Sequence, residues 1–197
     1  MYNILDPCCG SRMFWFDKEN PKVLFGDIRE LEDTLCDGRK LEIKPDQIMD
    51  FRNLPFDKTK FKLIVFDPPH MNSLGKNSWM AKKYGVLGKT WRDDLRKGFS
   101  ECFRVLEDDG ILIFKWNESD IKVRKVLELV NYKPLFGHKS GKLMKTHWIT
   151  FMKSSAFVQD ANKLFPVLVR FFSMSRIQLQ FHAHLLRVCF LARHHLI

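Results

Sequence analysis

The sequence has 197 residues and a formal charge of +10, because 33 lysines and arginines stand against 23 aspartates and glutamates. At this length one main domain is expected, and the 45% of hydrophobic residues can bury a core, which excludes a disordered chain. A run of about 18 apolar residues and an N-terminal secretion signal are both missing, so we expect a soluble, cytoplasmic protein without a membrane span.

Four short apolar runs at the start of the chain predict the parallel strands of an α/β fold. The runs are Tyr2 to Leu5, Val23 to Phe25, Gln47 to Met49 and Phe61 to Phe66. An aspartate follows each run within two residues, and these aspartates are Asp6, Asp27, Asp50 and Asp67. Because ligands bind beyond the carboxyl ends of parallel strands, we expect the four acids to face one crevice. A turn-forming role for each aspartate is the alternative.

The second half of this region predicts two helices, one strand and a closing hairpin. Apolar residues three and four apart predict an amphipathic helix from Trp91 to Leu106, ended by residues 108–110. A buried strand at 111–114, a helix through 123–130 and an antiparallel hairpin of 134–136 with 147–152 follow. The expected fold is therefore a Rossmann-like, doubly wound sheet of seven strands, mostly parallel, with an antiparallel last strand.

A tight turn of small residues follows the first predicted strand, and small residues let a ligand approach the backbone. The turn consists of Asp6, Pro7, Cys8, Cys9, Gly10 and Ser11. A second motif follows the fourth strand, and it combines a carboxylate, a rigid Pro-Pro and a flat ring. This motif consists of Asp67, Pro68, Pro69 and His70.

Together the two motifs resemble those of class I S-adenosylmethionine-dependent methyltransferases, in particular the amino-methyltransferases of nucleic acids and small prophage-type enzymes. Residues 6–11 resemble the D-P-x-x-G-S-G motif of the family, and residues 67–70 resemble its D/N-P-P-Y/F/W catalytic motif. Arg12 stands where the first motif ends in glycine, and one expectation is that it pairs with the cofactor carboxylate. The resemblance covers residues 1–153.

The resemblance implies S-adenosyl-L-methionine as the cofactor and assigns residues to it. Asp27 matches the acid that binds the ribose hydroxyls, and Asp50 with Phe51 matches the contacts to adenine. The methionine end is expected over residues 6–10, beside Ser11.

The resemblance also implies that residues 67–70 orient an exocyclic amine of a nucleic acid base. The Asp67 carboxylate and the Pro68 carbonyl would accept its hydrogen bonds and aim its lone pair at the methyl group, since positioning is most of the task. His70 would stack on the base, which is extruded if the substrate is a duplex.

The segment 71–92 carries basic side chains interleaved with aromatic ones. A substrate loop on nucleic acid and an ordinary solvated loop with packed aromatics are equally compatible with this pattern. Residues 115–117 follow the fifth predicted strand, where they line the substrate pocket or, in the case of Trp116, belong to the core.

The last 44 residues differ in composition, with five basic residues, one acid and no glycine. We therefore divide the chain into a methyltransferase domain at 1–153 and a basic apolar tail at 154–197. A helical appendage that binds nucleic acid or a membrane surface is one hypothesis for the tail. A packed terminal helix and a stretch translated in an altered frame are the others.

The five cysteines predict neither a disulfide framework nor a metal site, because their number is odd and no pair has CxxC or CxxH spacing. The leading hypothesis is N-methylation of an exocyclic amine of DNA or RNA. A methyltransferase for a small molecule or a protein amide is a second hypothesis. A non-catalytic nucleic-acid-binding module on a degenerate methyltransferase fold is a third.

Overall fold

A computed structural model describes residues 2–75 and 78–154, so the predicted tail lies outside the described residues except for Ser154. In chain order the elements are β1 (Ile4–Asp6), β2 (Val23–Asp27), β3 (Leu31–Thr34), β4 (Lys40–Ile43), β5 (Gln47–Ile48), β6 (Phe61–Phe66), α1 (Trp79–Tyr84), α2 (Trp91–Val105), β7 (Leu106–Asn117), α3 (Val123–Leu127), β8 (Phe136–Ser140) and β9 (Thr146–Met152).

Seven of the strands form one sheet in the order β5-β2-β1-β6-β7-β9-β8. The pairs from β5 to β7 are parallel, and β9 runs antiparallel to both β7 and β8. The predicted seven-stranded, mostly parallel Rossmann-like sheet with an antiparallel last strand is therefore confirmed.

The order of the strands reverses between β1 and β6. From β1 the chain winds through β2 and β5 toward one edge, whereas from β6 it continues through β7 toward the other. The two central strands are parallel neighbours, with Ile4 opposite Leu63 and Leu5 opposite Ile64. In open α/β sheets a ligand crevice lies outside the carboxyl ends at such a reversal. Asp6 ends β1 and Asp67 follows β6, so both aspartates flank this crevice.

The hydrophobic core lies between α2 and the middle of the sheet. Phe99 of α2 packs between Phe66 of β6 and Phe114 of β7, with ring centroids 5.3 and 4.9 Å away. Each such fully buried side chain stabilises the fold by about 1.5–3 kcal/mol. The helix approaches closely because Gly98 faces Phe51, where an added Cβ would lie only 2.7 Å from the ring. This packing fixes α2 against β6 and β7, the strands that lead to Asp67 and to residues 115–117.

Several predicted boundaries differ from those of the structure. Residues 108–110 do not end α2, which stops at Val105; they lie inside β7, where the pairing is irregular. Two steps along β6, from Phe61 to Leu63, correspond to five steps along β7, so the extra residues bulge out of the ladder. The helix α3 is also shorter than the predicted 123–130.

An unpredicted hairpin of β3 with β4 forms a small second sheet. Its strands carry exposed polar residues at every second position, and this alternation is short enough to resemble a polar loop. The described helices all follow β6, so the connections from β1 to β6 consist of loops and this hairpin. Within residues 2–75 and 78–154, no helix is both long and apolar enough to cross a membrane.

Candidate active site

The carboxylate of Asp6 lies fully buried beneath the loop of residues 6–11. Its Oδ2 accepts a hydrogen bond from the Trp15 indole nitrogen at 2.8 Å, and its Oδ1 accepts one from the Cys8 amide at 3.2 Å. Burial raises the pKa of Asp6 to about 7, although both hydrogen bonds act in the opposite direction. Asp6 therefore changes its charge near neutral pH.

Gly10 gives the loop of residues 6–11 its turn. Its φ of 50° lies in the left-handed region, and no atom lies within 4 Å of an added Cβ, so the backbone is open to a ligand there. The Gly10 amide donates a hydrogen bond to Oδ2 of Asp27 at 3.0 Å, and the Cys9 amide donates to the Gly26 carbonyl at 2.8 Å. These two bonds join the loop to the end of β2.

Asp27 is buried and engages Arg29 as well as Gly10. The Arg29 amide and Nε donate to its Oδ1 at 2.9 and 3.0 Å, and Nη2 donates to its Oδ2 at 3.2 Å. The same guanidinium donates to the Lys82 carbonyl of α1 at 3.0 Å. Arg29 thus occupies the carboxylate that was expected to bind the ribose hydroxyls, and ribose must compete with it.

The thiols of Cys8 and Cys9 are poor candidates for nucleophiles. Burial raises the pKa of the Cys8 thiol well above its usual value and that of Cys9 to about 12. Because the thiolate is the reactive form, both side chains act as small neutral groups in the loop.

Asp67 faces Lys115 of β7, and the two side chains are 17% and 19% exposed. The Lys115 ammonium group donates a hydrogen bond to Oδ2 of Asp67. Burial raises the pKa of Asp67, while the charge and hydrogen bond of Lys115 act against this rise. Residues 115–117, expected after the fifth strand, form the end of β7, and Trp116 is a fully buried core residue.

The imidazole of His70 lies between two aromatic side chains. Its ring centroid is 5.9 Å from that of Tyr84 and 6.2 Å from that of Trp116. Burial lowers the pKa of His70, so the ring is neutral at neutral pH. A neutral, flat ring is compatible with stacking on a base.

A small cavity of about 40 Å³ joins the two motifs. Its lining residues are Cys8, Cys9, Gly10, Ser11, Met13, Phe14, Arg29, Asp67, Pro68, His70, Lys83 and Tyr84. This volume is far below the roughly 300–1,000 Å³ of typical ligand sites, so the cavity would have to widen to admit a nucleoside. The structure thus brings residues of the first motif and of the 67–70 motif together around the small cavity.

A larger cavity of about 980 Å³ lies on the other side of Gly10 and Ser11, against β2 and the β3–β4 hairpin. Asp6, Asp27 and Asp67 do not line it. Arg12, which does, stacks on the Phe25 ring at 4.0 Å and pairs with Asp46 at 2.7 Å. The Arg12 guanidinium is thus already engaged by Asp46 and Phe25, so it is not free for the expected pairing with a cofactor carboxylate.

Asp50 and Phe51 line neither of these cavities. The Asp50 carboxylate accepts hydrogen bonds from Arg52, with Nη2 at 2.7 Å, and this pairing lowers the pKa of Asp50. Phe51 packs on Phe66 with ring centroids 5.5 Å apart. Asp50 and Phe51 thus lie at the end of β5, outside the lining of the small cavity where the two motifs meet.

The basic aromatic segment 71–92 divides between packing and the cavity. Trp91 is buried in the core, and Lys82 pairs with Asp33 at 2.6 Å, whereas Lys83 and Tyr84 line the small cavity. Three residues of the site were missed in the sequence: Trp15 and Arg29, which bind the acids, and Phe14, which contacts Lys115. Only Arg29 carried a signal, as a cation two residues after a strand-ending aspartate.

No family model matches the sequence, and no curated protein matches it. Solved structures do match its fold. A TehB-like SAM-dependent methyltransferase from Corynebacterium glutamicum has a TM-score of 0.50 at 15% identity, over 78% of this chain and 82% of that one. A methyltransferase from Clostridium acetobutylicum has a TM-score of 0.47 at 15% identity, over 77% and 84%. The chain therefore has the fold of the class I SAM-dependent methyltransferases.

Proposed function

We propose that the protein is an S-adenosylmethionine-dependent methyltransferase that acts on an exocyclic amine of a nucleic acid base. The observation that carries this proposal is the meeting of the two motifs. On a methyltransferase fold, Asp6 and Asp67 flank the reversal of strand order, and the residues after them line one cavity. A ligand held by the first motif and a substrate held by the second would therefore lie next to each other.

The first motif and the end of β2 offer the groups that S-adenosylmethionine needs. The backbone at Gly10 is unobstructed, and Asp27 supplies a buried carboxylate for the ribose hydroxyls once Arg29 is displaced. When bound, this cofactor supplies an electrophilic methyl group on a positively charged sulfur. Asp50 and Phe51 remain our candidates for the adenine end.

The segment 67–70 would bind and orient the accepting nitrogen. The Asp67 carboxylate and the Pro68 carbonyl accept hydrogen bonds from an amine, which turns its lone pair toward the methyl group. Asp67 also stabilises the positive charge that develops on the nitrogen. The neutral ring of His70 covers the base.

A nucleic acid substrate is supported by charge. The chain carries a formal charge of +10, and Lys83 is among the residues that line the small cavity. Cations at a site entrance attract and position phosphates.

Calorimetry with S-adenosylhomocysteine tests the cofactor. We expect binding by the wild type and a loss of at least about tenfold in affinity in Gly10→Asp, because the new carboxylate enters the open space at Gly10 that we assign to the cofactor and repels the cofactor's own carboxylate. Gly38→Asp is the matched control, since Gly38 also has a positive φ, 82°, and open space around it. If the wild type does not bind, or if both variants lose affinity equally, the proposed cofactor site is wrong.

Transfer of a labelled methyl group tests the substrate. Wild-type protein would be offered DNA, RNA, protein extract and small amines, and the products digested to locate the label. Label on an exocyclic nitrogen of a base is the expected result. Label found exclusively in protein or in small molecules would replace the nucleic acid proposal by one of its alternatives.

A further inference from the structure

Lys115 reaches Asp67 from the neighbouring strand because of the register of the sheet. Val65 pairs with Ile113 and Phe66 with Phe114, so Asp67 comes one step beyond, opposite Lys115. Both side chains project to the same face at the carboxyl ends of β6 and β7. The Lys115 ammonium group donates to Oδ2 of Asp67 and not to its other oxygen, Oδ1.

Two aromatic rings hold the ammonium group in place. Its nitrogen lies 5.4 Å from the centroid of Phe14 and 5.8 Å from that of Trp148, within the range of cation–π attraction. Trp148 stands directly opposite Lys115 on β9, and the two rings contact each other edge to face at 5.6 Å. The charge of Lys115 is therefore confined between one carboxylate and two rings.

We propose that Lys115 is a positioning residue for Asp67: it binds Oδ2, fixes the carboxylate, and leaves Oδ1 to accept a hydrogen bond from the substrate. This inference rests on the proposed methyltransferase function. Oδ1 is then the Asp67 oxygen not engaged by the ammonium group, and the Pro68 carbonyl offers a second acceptor. Two acceptors match the two N–H bonds of a primary amine, such as that of adenine or cytosine, better than the single N–H bond of a secondary amine.

Charged and titratable groups from several elements surround Asp67. They are Lys115 on β7, Asp6 on β1, Cys8 in the loop, His70 in its own motif, and Arg29 and Lys83 across the cavity. Lys115 is the cation that contacts the carboxylate directly. Its removal leaves a buried carboxylate without this partner, so protonation of Asp67 becomes easier.

The test compares Lys115→Met with the matched control Lys139→Met. Lys139 also belongs to the sheet and pairs with a carboxylate, Glu118 at 3.4 Å, but on β8 and away from Asp67. Carbon-13 NMR of the carboxyl groups, with Asp67 assigned through Asp67→Asn, would report the pKa of Asp67 in each protein. The pH profile of kcat/KM for methyl transfer would be measured on the same samples.

In Lys115→Met we expect the pKa of Asp67 and the acidic limb of the pH profile to rise together by about 1–3 units. A one-unit rise lowers the rate about tenfold on that limb. Lys139→Met leaves both unchanged, and Lys115→Arg, which keeps the charge, restores the acidic limb toward wild type. Lys115→Gln replaces the Met variant if thermal unfolding shows that the latter does not fold.

The outcomes separate this inference from the function on which it rests. If the wild type transfers methyl groups but the acidic limb in the neutral variant is unchanged, Lys115 does not position Asp67 and the inference is overturned. If the wild type transfers no methyl group to any substrate class, the proposed function itself is overturned.

Discussion

Two aspartates flank the reversal of strand order, Asp6 fully buried and Asp67 partly buried, and they are held by different kinds of partner. Asp6 accepts hydrogen bonds from two neutral donors, the Trp15 indole and the Cys8 amide, whereas Asp67 accepts one from the ammonium group of Lys115. Burial raises the pKa of both carboxyl groups. Neutral donors leave Asp6 with a pKa of about 7, while at Asp67 a full positive charge opposes the effect of burial.

This difference separates two tasks at one crevice. The carboxyl group of Asp6 can accept hydrogen bonds from the Cys8 amide and the Trp15 indole whether it is ionised or protonated. A pKa near neutral pH is therefore compatible with a role in supporting the loop. A carboxylate that must stabilise a developing positive charge has to remain ionised, and a neighbouring cation serves this purpose. We therefore propose that Asp6 supports the loop and that Asp67 contacts the substrate.

The largest effect is expected from Asp67→Asn. The amide cannot provide the negative charge, and Lys115 is left beside a neutral group, so we expect methyl transfer to fall by about 10²- to 10³-fold. Affinity for S-adenosylhomocysteine should change by less than about twofold, since Asp67 is not among the residues proposed to hold the cofactor. Transfer would be measured with labelled cofactor and binding by calorimetry.

The matched control is Asp93→Asn, which removes an exposed carboxylate of α2 that pairs with Arg96. Its transfer rate should equal that of the wild type. Full activity in Asp67→Asn would contradict the proposed contact between Asp67 and the substrate.

The positions of these acids could be predicted from the sequence, but their partners could not. Asp6 and Asp67 follow apolar runs of strand composition, and parallel strands bring their carboxyl ends to one edge. Lys115 pairs with Asp67 across 48 residues through the register of β6 with β7. That register follows a bulge at residues 108–110, which the sequence suggested as the end of a helix.

Asp50 shows the limit of the same argument. It also follows an apolar run, and β5 is parallel to β2, yet its carboxylate pairs with Arg52 and lines neither cavity near Gly10. A strand-ending acid is thus predictable from composition. The partner that it binds depends on loop residues whose side chains follow no periodic pattern, as Arg29 and Trp15 show as well.

A second prediction concerns the effect of Asp6 on the free energy of unfolding. Its pKa is about 7 in the folded protein against 3.8 for an unperturbed carboxyl group, so the protonated form favours folding. The stabilisation is complete below about pH 4 and is lost as the pH rises through about 7. At roughly 1.4 kcal/mol per pKa unit, the loss reaches up to about 4 kcal/mol.

Asp6→Asn removes this titration while keeping a side chain of the same shape. Urea unfolding at about pH 4 and pH 8 should show that the variant gains stability relative to the wild type by up to roughly 4 kcal/mol between these conditions. The amide replaces one acceptor by a donor, which lowers stability at both pH values alike. If the two proteins differ in their free energy of unfolding by the same amount at both pH values, Asp6 is not held by neutral donors alone.

The smallest effect is expected from Trp15→Phe, which tests the neutral donor itself. Phenylalanine keeps a ring against Phe25 but cannot donate to Asp6, so we expect the free energy of unfolding to fall by about 1–3 kcal/mol at pH 8, where Asp6 is ionised. The loss should be smaller at about pH 4, because a protonated carboxyl group needs the donor less. Trp79→Phe, at an exposed tryptophan of α1, should change stability by less than about 0.5 kcal/mol at either pH. An equal loss at both pH values in Trp15→Phe would show that the indole acts through packing, and the distinction between a neutral and a charged partner would then rest on Lys115 alone.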